Sequence, residues 1–271
     1  MALLNGLTDA SVRRPPRVVI TGDPGTGKST CAARAYKPVC LNLEDGMTGL
    51  DVPGFAASNI QEVDAALEQL LSGEHDFKTL IVDTLDKYES FTVNATTSAA
   101  GKEFLARFRW GQGTGEVFDR TYRLLEQLDE LRAKRNMQII LICHAKKIKI
   151  DDPVVGTYET TGPALRAKDS VQAVISWADI VGHMTRSRRK INAAAASEQP
   201  GMSVSKMVPR MEDGEVGGRY ISFESDGSFL AKSRFRTIPR ESIAIDFDEG
   251  WSLIEKLMNQ KEDEQQQKGA A

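Results

Sequence analysis

The chain has 271 residues, 41% of them hydrophobic and 27% charged, and its formal net charge at pH 7 is −3. This size and apolar content predict one large α/β domain with a sizeable core. The small negative charge excludes a general attraction to nucleic acids or anionic membranes, so any such binding must come from local basic patches.

Cysteine content and hydropathy indicate where the protein works. The three cysteines, Cys31, Cys40 and Cys143, are odd in number and lack metal-ligand spacing, which is typical of a reducing cytosol. No stretch reaches transmembrane length, and the start of the chain lacks the apolar core of a signal peptide. The sequence therefore predicts a cytoplasmic protein that does not contact the membrane.

The most specific motif follows residues 1–16, which we predict to be a flexible N-terminal arm. The apolar run Val18–Ile20 predicts a buried strand, and Gly22–Ser29 fits the pattern G-x-x-x-x-G-K-[ST] without a mismatch. An alanine-rich helix is predicted over residues 31–36. Strand, glycine-rich turn and helix in this order form a phosphate-binding loop, so the sequence predicts a nucleoside triphosphate as ligand.

The chemistry of such a loop assigns a role to each of its parts. Successive backbone N–H groups and the helix N-terminus face the phosphate oxygens. Lys28 is expected to reach the β- and γ-phosphates, and the hydroxyl of Ser29 is expected to ligate Mg²⁺. The predicted nucleotide-binding residues are Gly22, Asp23, Pro24, Gly25, Thr26, Gly27, Lys28, Ser29 and Thr30.

Two further predicted strands end in acidic residues. Residues 38–43 form the first, which is followed by Glu44 and Asp45, and residues 77–83 form the second, which ends at Asp83. An aspartate at a strand tip downstream of a phosphate loop can hold Mg²⁺ through water beside the loop serine. Asp83 is therefore the second predicted metal residue, and a simple strand cap is the alternative.

The middle of the chain alternates helices with strands. The predicted segments are a helix at 59–71, a helix followed by irregular chain at 84–110, a flexible glycine-rich link at 111–115 and a helix at 116–135. Phe104 and Phe108 are four residues apart, as on a buried helix face, so we expect them in the core rather than on a base-stacking platform. The most apolar strand, residues 137–143, ends at His144.

The C-terminal half has weaker patterns. Residues 145–170 form a long polar segment in the sequence. We predict a flexible insertion with a β-hairpin at 185–230. The hairpin would centre on Ser225–Gly227. The other predicted segments are a helix at 170–177, a strand at 178–184, a C-terminal helix within 241–260 with Asp248 as its N-cap, and a disordered tail at 261–271.

Three segments resemble motifs of RecA-like ATPases. Residues 41–51 (LNLEDGMTGLD) resemble the strand end whose glutamate orients the attacking water. Residues 140–146 (ILICHAK) resemble the strand that senses the γ-phosphate, and residues 231–236 (AKSRFR) resemble a hairpin whose Lys and Arg reach a neighbouring subunit. The pattern over residues 15–240 is similar to that of small phage RecA-like ATPases linked to single-strand annealing and recombination.

The resemblance implies a RecA-like P-loop NTPase fold over residues 17–240, an α/β domain with a central, mostly parallel sheet and a C-terminal β extension. It implies ATP hydrolysis with Mg²⁺, in which Glu44 orients the water and His144 senses the γ-phosphate. Lys232 and Arg234 would act on the nucleotide of a neighbouring subunit, in a homo-oligomer with composite active sites. The alternatives are Asp45 in place of Glu44, a core position for His144, and a solvated strand face for Lys232 and Arg234.

Single-stranded DNA is the partner that the resemblance implies, and a single-strand-binding protein is a further candidate. A protein encoded by a phage would act in the cytoplasm of the host cell. The segment 145–170 is expected to contact DNA because the corresponding loop of RecA-like proteins lies beside it. Its five cations are Lys146, Lys147, Lys149, Arg166 and Lys168. The alternatives are a solvated segment whose lysines offset nearby acids, or a contact at 186–190 or 102–109.

Two other functions share the phosphate loop. A small-molecule or nucleoside kinase would need an acceptor pocket and an arginine-bearing lid, for which residues 145–190 are the candidate. A nucleotide-switched assembly factor would bind the nucleotide without turnover.

Overall fold

A ten-stranded sheet forms the centre of the protein in the computed structural model, which describes residues 14–154, 156–186, 189–190, 207–208 and 218–260. The strands are β1 (Arg17–Gly22), β2 (Pro38–Asn42), β3 (Gly54–Ala56), β4 (Thr79–Asp83), β5 (Gln138–Asp152), β6 (Gly156–Pro163), β7 (Ile180–Arg186), β8 (Arg189–Lys190), β9 (Met207–Val208), β10 (Arg219–Ser222), β11 (Lys232–Ser233) and β12 (Ile243–Ala244). The helices are α1 (Lys28–Ala32), α2 (Ile60–Ser72), α3 (Leu85–Ala99), α4 (Gln112–Arg135), α5 (Lys168–Trp177) and α6 (Trp251–Asn259).

The order of the strands places β1 at the middle of the sheet. The order is β12-β10-β7-β1-β5-β4-β2-β3, with β6 paired to β5 and β11 paired to β7, while β8 and β9 form a separate ribbon. β1 is parallel to β5 and β7, and β2, β3 and β4 run in the same direction, whereas β10 and β12 are antiparallel additions. The predicted architecture is confirmed: an α/β fold with a mostly parallel central sheet and a C-terminal β extension.

The sheet is buried on both faces, as a parallel sheet requires. Alternate residues of a strand point to opposite faces, so Val18 and Ile20 pack in the layer that contains α1 and α6. Val19 packs in the other layer, which contains helices α2, α3, α4 and α5. Trp251 of α6 is fully buried and holds the C-terminal segment beside α1. The loop between β1 and α1 therefore lies at the carboxyl edge of a rigid sheet.

Local signals in the sequence explain the helices that form where predicted. The side chain of Asn59 caps α2 by accepting from the backbone N–H of Glu62 at 2.9 Å. The Glu62 carboxylate accepts from the backbone N–H of Ser58 at 2.7 Å, which completes a reciprocal cap.

Among the described residues, no helix has both the length and the apolar character needed to cross a membrane.

The connection between α3 and α4 differs from the prediction. Phe104 is 61% exposed, and Phe108 lies between the 3₁₀ turns Leu105–Arg107 and Arg109–Gly111, so the two rings do not share a helix face. Their prediction as a core pair was wrong because α3 ends before them. The predicted glycine-rich link also differs, since α4 begins at Gln112 within it.

The polar segment after His144 is a β-hairpin rather than a loop. Strand β5 continues to Asp152 and pairs antiparallel with β6, with Lys147 opposite Thr161. Residues 147–150 alternate lysine and isoleucine, which is the period of a strand with one buried face. Ile148 packs against the core, and this burial explains why the strand extends so far.

The C-terminal segments also differ from the predictions. Strands β10 and β11 do not form a hairpin with each other, because both pair with β7: Ser222 lies opposite His183 and Lys232 opposite Val181. The helix after the phosphate loop ends at Ala32, earlier than expected, and the N-cap of α6 is Gly250 instead of Asp248. The predictions for residues 1–13, for 187–188, 191–206 and 209–217 of the insertion, and for the tail at 261–271 lie outside the described residues.

We expect Leu128→Ala to lower the free energy of unfolding by about 2–5 kcal/mol, because the substitution removes a large side chain from a closely packed core. Leu128 lies on α4 and is fully buried in the layer against the sheet. Denaturant unfolding monitored by circular dichroism measures the change. Glu126→Ala on the exposed side of the same helix is the control, and equal stabilities for the two variants would contradict this packing.

Candidate active site

The nine predicted nucleotide-binding residues run from the last residue of β1 through a tight loop into α1. At Gly22 a β-carbon would come within 2.4 Å of the carbonyl oxygen of Met184, so β7 leaves no room for a side chain there. Gly27, just before α1, has a φ of 95°, which side chains rarely allow. The chain therefore makes the glycine-dependent turn that a phosphate loop requires.

Lys28 lies folded against its own loop. Its Nζ donates to the carbonyl oxygens of Gly22 and Asp23, both at 2.9 Å, and the residue is only 6% exposed. Burial lowers the pKa of the ammonium, and the negative charges of Asp83 and Asp86 partly offset this effect. Because an ammonium has three N–H donors, one donor is left for a phosphate oxygen.

Ser29 and Asp83, the two predicted metal residues, lie in direct contact. The Ser29 hydroxyl donates to Asp83 Oδ2 at 2.8 Å, and Asp83 is 1% exposed at the end of β4. Burial raises the pKa of this carboxyl, and the hydrogen bond from Ser29 counteracts the rise. A hydroxyl and a buried carboxylate at this spacing are the oxygen ligands that Mg²⁺ prefers, so the residues fit the predicted ion.

Gly46 is a site residue that the sequence analysis missed. A β-carbon at this position would come within 2.7 Å of Asp83 Oδ2 and 3.5 Å of the Ser29 hydroxyl oxygen. The segment after β2 therefore covers the Ser29–Asp83 pair closely, and only glycine fits. A glycine directly after two acids at a strand end was the available signal.

Glu44, which the resemblance assigned to the attacking water, lies beside Asp83. The backbone N–H groups of Leu43 and Glu44 donate to the carbonyl oxygen of Asp83 at 2.8 and 3.2 Å. The hydroxyl of Thr84 donates to Glu44 Oε1 at 3.0 Å and holds the carboxylate at the carboxyl ends of β2 and β4. The side chain of Asp45 lies outside the described part of the structure, so the choice between the two acids stays open.

His144 is held by Asp86, a second residue that the sequence analysis missed. His144 lies opposite Gly22 in the register of β5 and β1, and its Nδ1 is 2.9 Å from Asp86 Oδ2. Its backbone N–H also donates to Asp86 Oδ1 at 2.9 Å. Burial opposes ionisation of Asp86, but the hydrogen bonds from His144 outweigh it and lower the carboxyl pKa. The signal for Asp86 was an acid in the first turn of a helix, directly after the strand that ends at Asp83.

The side chains of Glu44, Asp86 and His144 converge within the site. One ligand atom from each lies within 4.8 Å of the others. Together with Lys28 and the Ser29–Asp83 pair, they form a polar cluster at the carboxyl edge of the sheet, where ligands bind in open α/β sheets.

The five predicted DNA-contacting cations lie on or near the β5–β6 hairpin, but they do not act alike. Lys146 turns inward and donates to the carbonyl oxygen of Leu165. Lys147 is 4.0 Å from Glu159 and Lys168 is 3.8 Å from Asp151, both as exposed pairs. Lys149 is exposed on the same strand face as Lys147, and Arg166 is exposed after the hairpin. The alternative of lysines that offset nearby acids thus describes part of this surface.

Lys232 and Arg234 lie far from the phosphate loop of their own chain. Strand β11 pairs with the amino-terminal end of β7, where Lys232 is opposite Val181. Arg234 Nη1 donates to Asp179 Oδ1 at 2.8 Å, just before that strand. These side chains and the loop are therefore at opposite edges of the sheet, and any role at a γ-phosphate would require a second subunit.

A match to a known protein family identifies the family of this chain. A family model described as an AAA domain matches residues 14–235. One similar solved structure is the crystal structure of the RadB recombinase, which is 14% identical in sequence. Its TM-score is 0.46, and the match covers 87% of this chain and 90% of that chain. No curated protein matches the chain. Because the family model covers most of the chain, the protein belongs to the AAA domain family, and it has a nucleotide-binding P-loop fold.

Proposed function

We propose that the protein hydrolyses ATP with Mg²⁺ and couples this reaction to single-stranded DNA. The observation that carries the catalytic part is the convergence of Lys28, the Ser29–Asp83 pair and Glu44 at one sheet edge. Binding residues for phosphate and metal thus lie beside a carboxylate that can accept a proton. This combination is what in-line attack by water on a γ-phosphate requires.

Each residue has a separate task in this reaction. Lys28 and the backbone of the loop bind the β- and γ-phosphates, and Ser29 and Asp83 would hold a Mg²⁺ ion that would supply further positive charge. Glu44 accepts a proton from the attacking water through a carboxylate that Thr84 holds in place. Asp86 holds the ring of His144 in one orientation, so that His144 can respond to the presence of the γ-phosphate.

The described structure favours this function over a kinase. The acceptor lid of a kinase would have to come from residues 145–190. Most of that stretch is instead ordered into the β5–β6 hairpin, α5 and β7, and α5 and β7 are part of the central core. Product analysis tests the assignment: free phosphate indicates an ATPase, a phosphorylated acceptor a kinase, and an absence of turnover a nucleotide switch. The assay is run with and without single-stranded DNA.

The DNA partner rests on the position of the hairpin. Strand β5 passes directly from His144 into the exposed lysines at 147 and 149, so a shift at the γ-phosphate can reach this surface. A recombination or replication role in a phage, a single-strand-binding protein as partner and a cytoplasmic site of action complete the proposal.

We expect Glu44→Gln to retain ATP binding and to lose hydrolysis by ~10²–10⁴-fold, the usual contribution of a positioned general base. The amide keeps the shape of the side chain but no longer accepts the proton. Phosphate release and nucleotide affinity are measured on the same preparation. Asp45→Asn is the matched variant, and if it alone abolishes hydrolysis, Asp45 is the catalytic acid.

Mixed oligomers test whether Arg234 acts on a neighbouring subunit. We expect Arg234→Ala to bind ATP and hydrolyse it poorly, while its fold survives because Arg17 and Arg132 still contact Asp179, at 3.0 and 3.6 Å. Mixing Arg234→Ala with Lys28→Ala should restore part of the activity, since some interfaces then combine an intact loop with an intact Arg234.

The control for this experiment is a mixture of Lys28→Ala with Glu44→Gln. Both residues belong to the same half of the site, so no interface in that mixture is complete and no activity should return. Equal results for the two mixtures, in subunits shown to exchange, would rule out a role for Arg234 in trans.

We expect Lys147→Glu/Lys149→Glu to weaken single-stranded DNA binding and to leave basal ATPase activity intact. If a subunit neutralises about three phosphates, the logarithm of the binding constant falls with the logarithm of salt concentration at a slope near −2, and the double variant should flatten this slope. Lys134→Glu/Lys256→Glu, two exposed lysines on helices α4 and α6, makes the same charge change elsewhere. DNA binding that is unchanged in the hairpin variant would place the contact at another surface.

A further inference from the structure

Two arginines that do not belong to the polar cluster described above lie beside the phosphate loop. Arg186 ends β7 and Arg219 begins β10, and they are directly opposite each other in the antiparallel register. Met184, two residues before Arg186, contacts Gly22 at the start of the loop. Both arginines are therefore at the carboxyl edge of the sheet, in the same chain as the loop and on the side away from Asp83.

Arg219 is fixed between the loop and an aromatic ring. A β-carbon on Gly27 would lie 2.8 Å from Arg219 Nε and 3.0 Å from its Cδ, so the side chain passes directly over the loop backbone. Its Cζ lies 3.8 Å from the centroid of the Phe247 ring. Phe247 is anchored in turn, since its carbonyl oxygen accepts from Arg34 Nε at 3.1 Å just after α1. With the ring against its plane, the guanidinium has its N–H edge left for a ligand.

The charges of this arginine pair are not balanced by the described residues. No described carboxylate forms a salt bridge with Arg186 or Arg219, and the Nε atom of each is buried without a described hydrogen-bond partner. By contrast, Arg17, Arg132 and Arg234 all contact Asp179. Burial and the neighbouring charge of Arg186 both lower the pKa of Arg219. Two adjacent guanidinium groups of this kind are stabilised by an anion.

We propose that Arg219 and Arg186 bind phosphate oxygens of the nucleotide held by the loop of their own subunit. The inference rests on the proposed nucleotide-binding function and adds a pair of positioning residues in cis, distinct from Lys232 and Arg234 at the opposite edge. A planar guanidinium binds phosphate through paired N–H donors, and the Phe247 ring keeps it oriented for that contact. The recognised group is a polyphosphate, and the nucleoside is not required for the contact.

The test compares ATP with inorganic tripolyphosphate, which carries the phosphates without a nucleoside. Dissociation constants are measured by calorimetry for the wild-type protein, Arg219→Ala and Arg186→Ala, with Mg²⁺ present. We expect each variant to lower the affinity for both ligands by the same factor. For Arg219→Ala this factor is ~10- to 100-fold, as expected for hydrogen bonds to a charged group. Arg240→Ala is the control, because that side chain is 87% exposed and lies 3.9 Å from Glu224; its affinities should match the wild type.

The possible outcomes separate this inference from the proposed function. A wild-type protein that binds neither ligand contradicts both. Wild-type binding with unchanged affinities in folded arginine variants overturns the inference alone. A loss of affinity for ATP but not for tripolyphosphate also overturns the inference, since the arginines then contact the nucleoside. Arg219→Lys, which keeps the charge without the planar fork, provides a second variant if Arg219→Ala does not fold, and it should lose affinity for both ligands to a smaller extent.

Discussion

Parallel pairing of β1, β5 and β4 is the constraint on which the site depends. The register places Gly22 opposite His144, and Asp83 opposite Ile142 two residues earlier on β5, so three strand ends deliver their polar residues to one edge. Backbone hydrogen bonds to the Asp83 carbonyl then add Glu44 from β2. Buried polar groups cost free energy unless they are paired, and here Asp83 pairs with Ser29 of α1 while His144 pairs with Asp86 of α3. Apolar layers on both faces of the sheet hold these strands in register.

The two edges of the sheet differ in how their charges are arranged. At the amino ends, Asp179 accepts from Arg17 and Arg234 and also faces Arg132; although burial opposes its ionisation, these contacts lower its pKa. In that network each guanidinium contacts a carboxylate, and these contacts contribute to the fold. At the carboxyl ends, Lys28 donates to backbone carbonyls, and the arginines of β7 and β10 have no described acid partner. Two guanidinium groups without a described acid partner, beside a phosphate loop, are suited to a polyanionic ligand, because that ligand supplies the missing charge.

Strand-end reasoning predicted much of the site because parallel strands bring sequence-distant ends together without any need to know side-chain contacts. Asp83 was placed beside Ser29 from its position at the end of an apolar run, while the resemblance to RecA-like ATPases assigned Glu44 and His144 to the site. Prediction from residue spacing was weaker where the same segment could fit more than one kind of structure. Phe104 and Phe108 have helical spacing but lie past the end of a helix. The lysine–isoleucine alternation after His144 was overlooked because the charges suggested a loop, whereas Ile148 packs against the core.

The sequence by itself determined the phosphate loop, the alternation of strands and helices, and the acids at strand ends, because these depend on local patterns along the chain. Only the tertiary structure decided which residues meet. Asp86 holds His144, Gly46 covers Asp83, and Arg219 lies on Gly27, across sequence separations that no local pattern encodes. The sequence likewise did not predict that Arg234 lies at the amino-terminal edge of the sheet, since the pairing of β11 with the start of β7 depends on the whole sheet. Contacts of this kind depend on packing and register, which the complete fold alone establishes.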